Sequence, residues 1–192
     1  MEDRKEKKRW GLIVFIVIIM IGTSFSFVLF GFSPSSEKVV YNGIQFTRLP
    51  DRWEAKIDGK AAAFSFLPTE VEKLPVLGNA TTKLQGKFEI DATSDMNSTL
   101  KEPIALAQHQ MGLTLWNYNM YVRNGFTSNN TFNFPIITCH DATSNVPVVY
   151  FRHANETGIY AENSCIFAEA PSAAEMIKVK DRLLYGVFGV IK

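Results

Sequence analysis

The hydrophobic pattern is dominated by one run, Trp10 to Phe32 (WGLIVFIVIIMIGTSFSFVLFGF), which holds no charge, Asn, Gln or Pro. At about 1.5 Å of rise per residue it reaches roughly 33 Å as a helix, enough to cross about 30 Å of hydrocarbon. The run predicts a single transmembrane signal-anchor helix over 10–32. Ser33-Pro34-Ser35-Ser36 then breaks the helix and opens a short linker, 33–37. A cleaved signal peptide would carry an apolar region of about 7–15 residues followed by a small-residue cleavage site. This run is longer, and Phe30-Gly31-Phe32-Ser33-Pro34 offers no such site.

Beyond the linker the period changes to two. Ile44-Gln45-Phe46-Thr47-Arg48 and Trp53-Glu54-Ala55-Lys56-Ile57 alternate apolar and polar, and Asn42-Gly43 and Asp58-Gly59 are hairpin dipeptides. Residues 38–67 therefore read as a β-meander with Phe46, Trp53, Ile57, Phe64 and Phe66 on its core face. Thr69-Glu70-Val71-Glu72 has the form of a capping box after Pro68, and Leu84 to Ala92 alternates as a further strand. From Pro103 to Val122 the period becomes helical, with Ile104, Ala107, Met111, Leu115, Tyr118 and Val122 on one stripe, widened by Trp116 and Met120. Asn124-Gly125 reads as its stop. Ile136 to His140, Val146 to Arg152, Ile159 to Ala161 and Cys165 to Ala168 read as short strands.

Ser172-Ala173-Ala174-Glu175 caps a last helix. Met176, Val179, Leu183, Val187 and Val190 form its apolar face, with Lys178, Lys180, Asp181 and Arg182 mostly opposite. The expectation is an α+β domain over 38–192: a largely antiparallel sheet of 6–7 strands with two main helices on one face.

Charge adds orientation. The net charge is +1, and no basic stripe suits nucleic acid. Arg4, Lys5, Lys7, Lys8 and Arg9 crowd residues 1–9, a basic arm that the positive-inside rule assigns to the cytoplasm. The domain is then placed outside, at the cell membrane. Both cysteines, Cys139 and Cys165, fall in that exported part, where a pair of thiols is normally oxidised; a disulfide between them is expected. So do four N-x-S/T triplets, at Asn79, Asn97, Asn129 and Asn155, which are glycosylation acceptors where the host has the machinery.

Candidate chemistry is sparse. Cys139-His140-Asp141 with His153 and Cys165 supplies zinc or copper ligand types. Neighbours on a strand point to opposite faces, however, so Cys139 and His140 could not share an ion without a bulge. There is no C-x-x-C, G-x-S-x-G or glycine-rich phosphate loop. His109 reads as a solvated helix residue, and Glu89 and Asp91, two apart, as a solvated strand face. No cofactor, metal or catalytic residue is expected.

Thr138-Cys139, Val146-Pro147-Val148-Val149, Cys165-Ile166, Lys180-Asp181-Arg182-Leu183-Leu184-Tyr185-Gly186 and Gly189-Val190, with Asn42-Gly43, Phe46-Thr47, Trp53 and Phe64-Ser65-Phe66-Leu67-Pro68, together resemble small uncharacterised membrane-anchored proteins of archaeal genomes. The resemblance covers most of the exported domain. It implies a location and no activity.

The function expected is a single-pass, membrane-anchored extracytoplasmic interaction or assembly module. Its partners would be the bilayer through residues 10–32 and an envelope protein. Gly22 and Ser26, four apart, form a small-xxx-small pattern for weak self-association. Two alternatives stand: a pilin-like subunit processed near Gly11, and a metal- or thiol-dependent protein centred on Cys139 and Cys165.

Overall fold

The computed structural model describes residues 10–22 and 37–191, which fall into two units divided after Ser36. Residues 10–22 are helical (α1) and expose their apolar side chains, among them Trp10, Leu12, Ile13 and Phe15. Among the described residues no helix is long and apolar enough to cross a membrane. The basic arm 1–9, the second half of the expected span with Ser26, and linker residues 33–36 lie outside the described residues.

The second unit begins with an antiparallel meander, β1 (Lys38–Tyr41), β2 (Ile44–Arg48), β3 (Trp53–Ile57) and β4 (Lys60–Phe64). The dipeptides do what their chemistry requires. Asn42 and Gly43 take φ of 47° and 79°, and Asp58 and Gly59 take 49° and 80°, the left-handed pairs of tight hairpins. Period two then turns Phe46, Trp53, Ile57 and Phe64 into the core. A single helical turn follows, α2 (Pro68–Val71). Its cap is two residues earlier than the Thr69 expectation: the Leu67 N–H donates to the Glu70 carboxylate at 2.7 Å.

The remaining strands form a second sheet: β5 (Val76–Leu77), β6 (Glu89–Ser94), β7 (Tyr121–Phe126), β8 (Val148–His153), β9 (Gly158–Glu162) and β10 (Cys165–Ala170), in the order β5-β9-β10-β8-β6-β7. The α+β class holds. The single, largely antiparallel sheet does not, because in this second sheet only β9 and β10 pair antiparallel. The cause is the crossover β6–α3–β7, where α3 is Lys101–Trp116: a strand followed by a helix returns parallel beside its start. The helix ends earlier than its stripe suggests. Asn119, at φ 60°, turns the chain, and Tyr121 onward is strand. Ile104, Ala107, Met111 and Leu115 are buried as expected, whereas Trp116 is exposed. Residues 136–140 are not a strand either. A lone bridge joins Ile136 to Phe126, and Cys139–Asp141 is a 3-10 turn.

The last helix, α4 (Ala173–Val187), is capped as predicted, the Ser172 Oγ accepting from the Glu175 N–H at 3.3 Å. It lies with α3 between the two sheets, packed on β9 and β10 on one side and on the meander layer on the other. The Tyr185 ring stacks on Phe64 at 4.1 Å, and its hydroxyl donates to the Phe66 carbonyl at 2.7 Å. Burial therefore surrounds the helix. Lys180, Asp181 and Arg182 are 1%, 0% and 3% exposed, so the polar face expected there is interior. The apolar end continues into the core through Val190 and Ile191.

Gly186 marks the tightest approach. A Cβ there would lie 2.8 Å from Thr81 Oγ1 and closer still to the Thr81 carbons. Thr81 is itself buried. Gly186→Ala is expected to cost about 1–3 kcal/mol through overpacking, read as a lower urea midpoint at unchanged slope.

Candidate functional site

The helices cover one face of the six-stranded sheet. The other face holds the residues the sequence singled out. Period two and the strand registers set them in rows: Cys165, Val148, Asp91 and Arg123 in one, Tyr160, Phe167, Tyr150 and Thr93 in the next, Glu169 and Arg152 in a third. Tyr160 stacks on Phe167 at 4.8 Å between ring centres, and Tyr150 tilts against it at 5.8 Å. The Arg152 guanidinium lies 4.7 Å from the Phe167 ring centre, donates to the Tyr160 hydroxyl at 2.6 Å and pairs with Glu169. Burial holds the Tyr160 phenol above its ordinary range, with Arg152 opposing.

Glu89 and Asp91 do share one face, as their spacing requires, but only Glu89 is partly solvated. Asp91 is 1% exposed and receives two bonds of 2.7 Å from Arg123. The Arg123 guanidinium is about half exposed, so this fork orders the edge strand more than it stabilises it. The pairing is not legible locally, because Arg123 falls between a helical stripe ending at Val122 and the apparent Asn124-Gly125 stop.

The segment after β7 runs back over this face. Ile137 packs on Val148, Cys165 and Phe167, and its carbonyl accepts from the Thr93 hydroxyl at 2.7 Å. The approach is so close that β7 needs a glycine: a Cβ at Gly125 would lie 2.6 Å from the Pro135 carbonyl oxygen and 2.7 Å from Ile137 Cδ1. That, and no helix stop, is what Asn124-Gly125 provides. A disulfide then joins Cys139 to Cys165, with Cα atoms 5.3 Å apart. The turn behind it is held by Asp141, whose carboxylate accepts from the Thr138 N–H and hydroxyl, both at 2.8 Å. These bonds hold it below the usual carboxylate range.

Both sulfurs are consumed by the bridge, and His140 and His153 are exposed. Among the described residues no group of three or more His, Cys, Asp or Glu could hold a metal ion. The four sequon asparagines, Asn79, Asn97, Asn129 and Asn155, are all exposed. Asn97, Asn129 and Asn155 follow β6, β7 and β8, three parallel strands, and so share one end of the sheet. Among the described residues no atom lies within 4 Å of a Cβ built on Gly22.

The site that sequence reasoning missed lies on the opposite side of the helices. A groove of about 410 Å³ opens between β3–β4 and α3, with Lys180 of α4 at its floor and Asp51, Glu54, His109, Gln110 and Asn117 among its lining. The Lys180 ammonium pairs with Asp181 Oδ1, and Asp181 Oδ2 accepts from the Ser65 and Phe66 N–H groups at 2.8 and 2.9 Å. Burial pushes the Asp181 carboxyl above its ordinary value, against the pull of Lys180 and the two N–H groups. Three adjacent charges on a helix gave no sign of burial, because nothing local announces a second sheet above it.

No family model, curated protein or solved structure matches the chain.

Proposed function

We propose that the protein is a single-pass, membrane-anchored interaction module, with residues 10–32 in the bilayer, the N-terminus cytoplasmic and the domain outside. The outer face of the six-stranded sheet is its contact surface for an envelope protein. The observation that carries this reading is the Cys139–Cys165 bridge, which fastens a segment across that face and suits an oxidising compartment. Beside it Tyr150, Tyr160 and Arg152 remain part-exposed. Tyr and Arg are the residue types that dominate contact energetics, since they bury large area and still offer polar ends. Orientation follows from the basic arm, and the apolar side chains exposed on 10–22 give the helix reason to sit in lipid.

The test is photo-crosslinking in native membranes. A photoreactive residue at Tyr160 is expected to capture a second envelope protein, while one at Lys56 on the meander captures none. Recovery of this chain alone from both positions would refute the contact surface. An N-terminus found processed near Gly11 in mature protein would move the reading to a pilin-like subunit.

A further inference from the structure

We infer that the loop after β7, residues 127–136, is a lipid contact whose aromatic tip inserts into the interfacial layer of the bilayer that anchors the chain. The inference rests on the membrane-anchored reading above and deepens it, by naming the part of the domain that lipid touches. Phe132, Phe134 and Ile136 are 64%, 49% and 55% exposed. From Asn124 to Cys139 the chain carries no charge, whereas the loops after β6 and β8, at the same end of the sheet, carry Asp95 and Glu156. The tip is also built to leave water. Backbone polar groups enter an apolar layer cheaply only when they are already bonded. Asn130 Oδ1 accepts from the Phe132 and Phe134 N–H groups, both at 3.1 Å, and its Nδ2 donates to the Phe134 carbonyl at 2.9 Å. The Pro135 carbonyl accepts from the Phe126 N–H at 3.0 Å. The Phe126 ring meets Phe134 edge-on at 5.8 Å and Phe132 at 6.2 Å, so the exposed rings stand on a fixed base.

The tether selects lipid as the occupant. Residues 33–37 reach at most about 18 Å in any conformation, and they join the domain at Lys38. The place of Lys38 follows from the strand registers. The crossover runs α3 back from the C-terminal end of β6 to the start of β7. Ala61, Ala63 and Ser65 bond in turn to Asn117, Thr114 and Gln110, so β4 runs toward the N-terminal end of α3. The pairs Trp53 with Phe64, Arg48 with Trp53 and Lys38 with Thr47 carry that level across the meander. Lys38 therefore lies toward the C-terminal ends of β6 and β7, the end at which residues 127–136 leave the sheet. A bilayer held that close to Lys38 lies within reach of this end of the domain. Arg52 and Glu54 keep the nearby meander surface in water, and the β7 loop offers apolar side chains without charge. Asn129 belongs to the same loop. A glycan there would hold the tip in water, so the inference assigns Asn129 as unmodified.

The experiment places the full chain, isotope-labelled, in phosphatidylcholine nanodiscs that contain a phospholipid with a nitroxide near its headgroup. Backbone amide relaxation is compared with that in discs lacking the nitroxide. Residues 131–136 are expected to show strong enhancement, and the hairpins at 42–43 and 58–59, at the other end of the meander, none. Adding anionic phosphatidylglycerol should leave the pattern unchanged, because the loop holds no cation. Phe132→Ser with Phe134→Ser should abolish the enhancement at the loop while amides elsewhere keep their native positions, since both side chains are exposed. Enhancement along 10–22 with none at 131–136 overturns the inference and leaves the anchor standing; enhancement at neither overturns both. Enhancement that persists in the double variant shows that the tether alone brings the loop near lipid, and overturns insertion. So does a glycan on Asn129, found by mass spectrometry of the native protein.

Discussion

Lys180→Met is expected to destabilise the domain by about 3–5 kcal/mol at neutral pH, the cost of leaving one member of a buried ion pair alone. Asp181 would then keep only the Ser65 and Phe66 N–H groups for a carboxylate that is 0% exposed. Its carboxyl is already pushed above the ordinary value of 3.8 by burial, and losing Lys180 pushes it further. The sign of the pH dependence follows. A carboxyl with a raised folded pKa binds its proton more tightly when folded. The stability it confers is full below the unfolded value and is lost as pH rises through the folded one. The penalty in the variant is therefore smallest in acid and largest at neutral pH. Urea unfolding followed by tryptophan fluorescence at several pH values reads this directly. Lys180→Met combined with Asp181→Asn removes the charge and keeps an acceptor oxygen for the two N–H groups, so it should recover most of the loss. A pH-independent deficit in the single variant would mean that packing, and not the ion pair, sets the cost.

Reduction of the Cys139–Cys165 bridge is expected to have the second largest effect. The bridge closes a loop of sequence separation 26, which on the chain-entropy account is worth roughly 3 kcal/mol, or about 6–12 °C in melting temperature for a domain of this size. Calorimetry with and without reductant measures it, with Cys139→Ala as the permanent equivalent. The loosening should be local first. Amide exchange should rise at residues 136–142, which are held besides by Ile137 packing and the Thr138–Asp141 turn. An unchanged melting temperature would show that those contacts alone secure the segment.

Local chemistry made much of this fold readable. The meander was legible because every instruction in it is short-range: two left-handed dipeptides, strict alternation and core aromatics that agree with both. Ser172 announced α4 for the same reason, since a cap and its partner are three residues apart. The disulfide was legible because two cysteines leave one pairing. Legibility stopped where a signal had two meanings. Asn124-Gly125 reads equally as a helix stop or as a bare patch of strand, and only the proximity of Pro135 and Ile137 decides between them. That ambiguity hides β7, and with β7 its parallel pairing to β6 and the Arg123 partner of Asp91.

The candidate groove was invisible for a related reason. Lys178, Lys180, Asp181 and Arg182 opposite an apolar face look like a solvated helix back, and Lys178 indeed forms a partly exposed pair with Glu175. Asp181 passes beneath the end of the meander, where Ser65 and Phe66 come from 116 and 115 positions away. By itself the sequence determined the apolar run, the charge asymmetry around it, the Ser172 cap of α4, the hairpins and the cysteine pair, because propensity, capping and turn geometry act over a few residues. The layering of two sheets around α3 and α4, the burial of Lys180 and Asp181 and the groove above them were decided only by the tertiary structure. Burial depends on which distant element closes over a surface, and no local pattern encodes that.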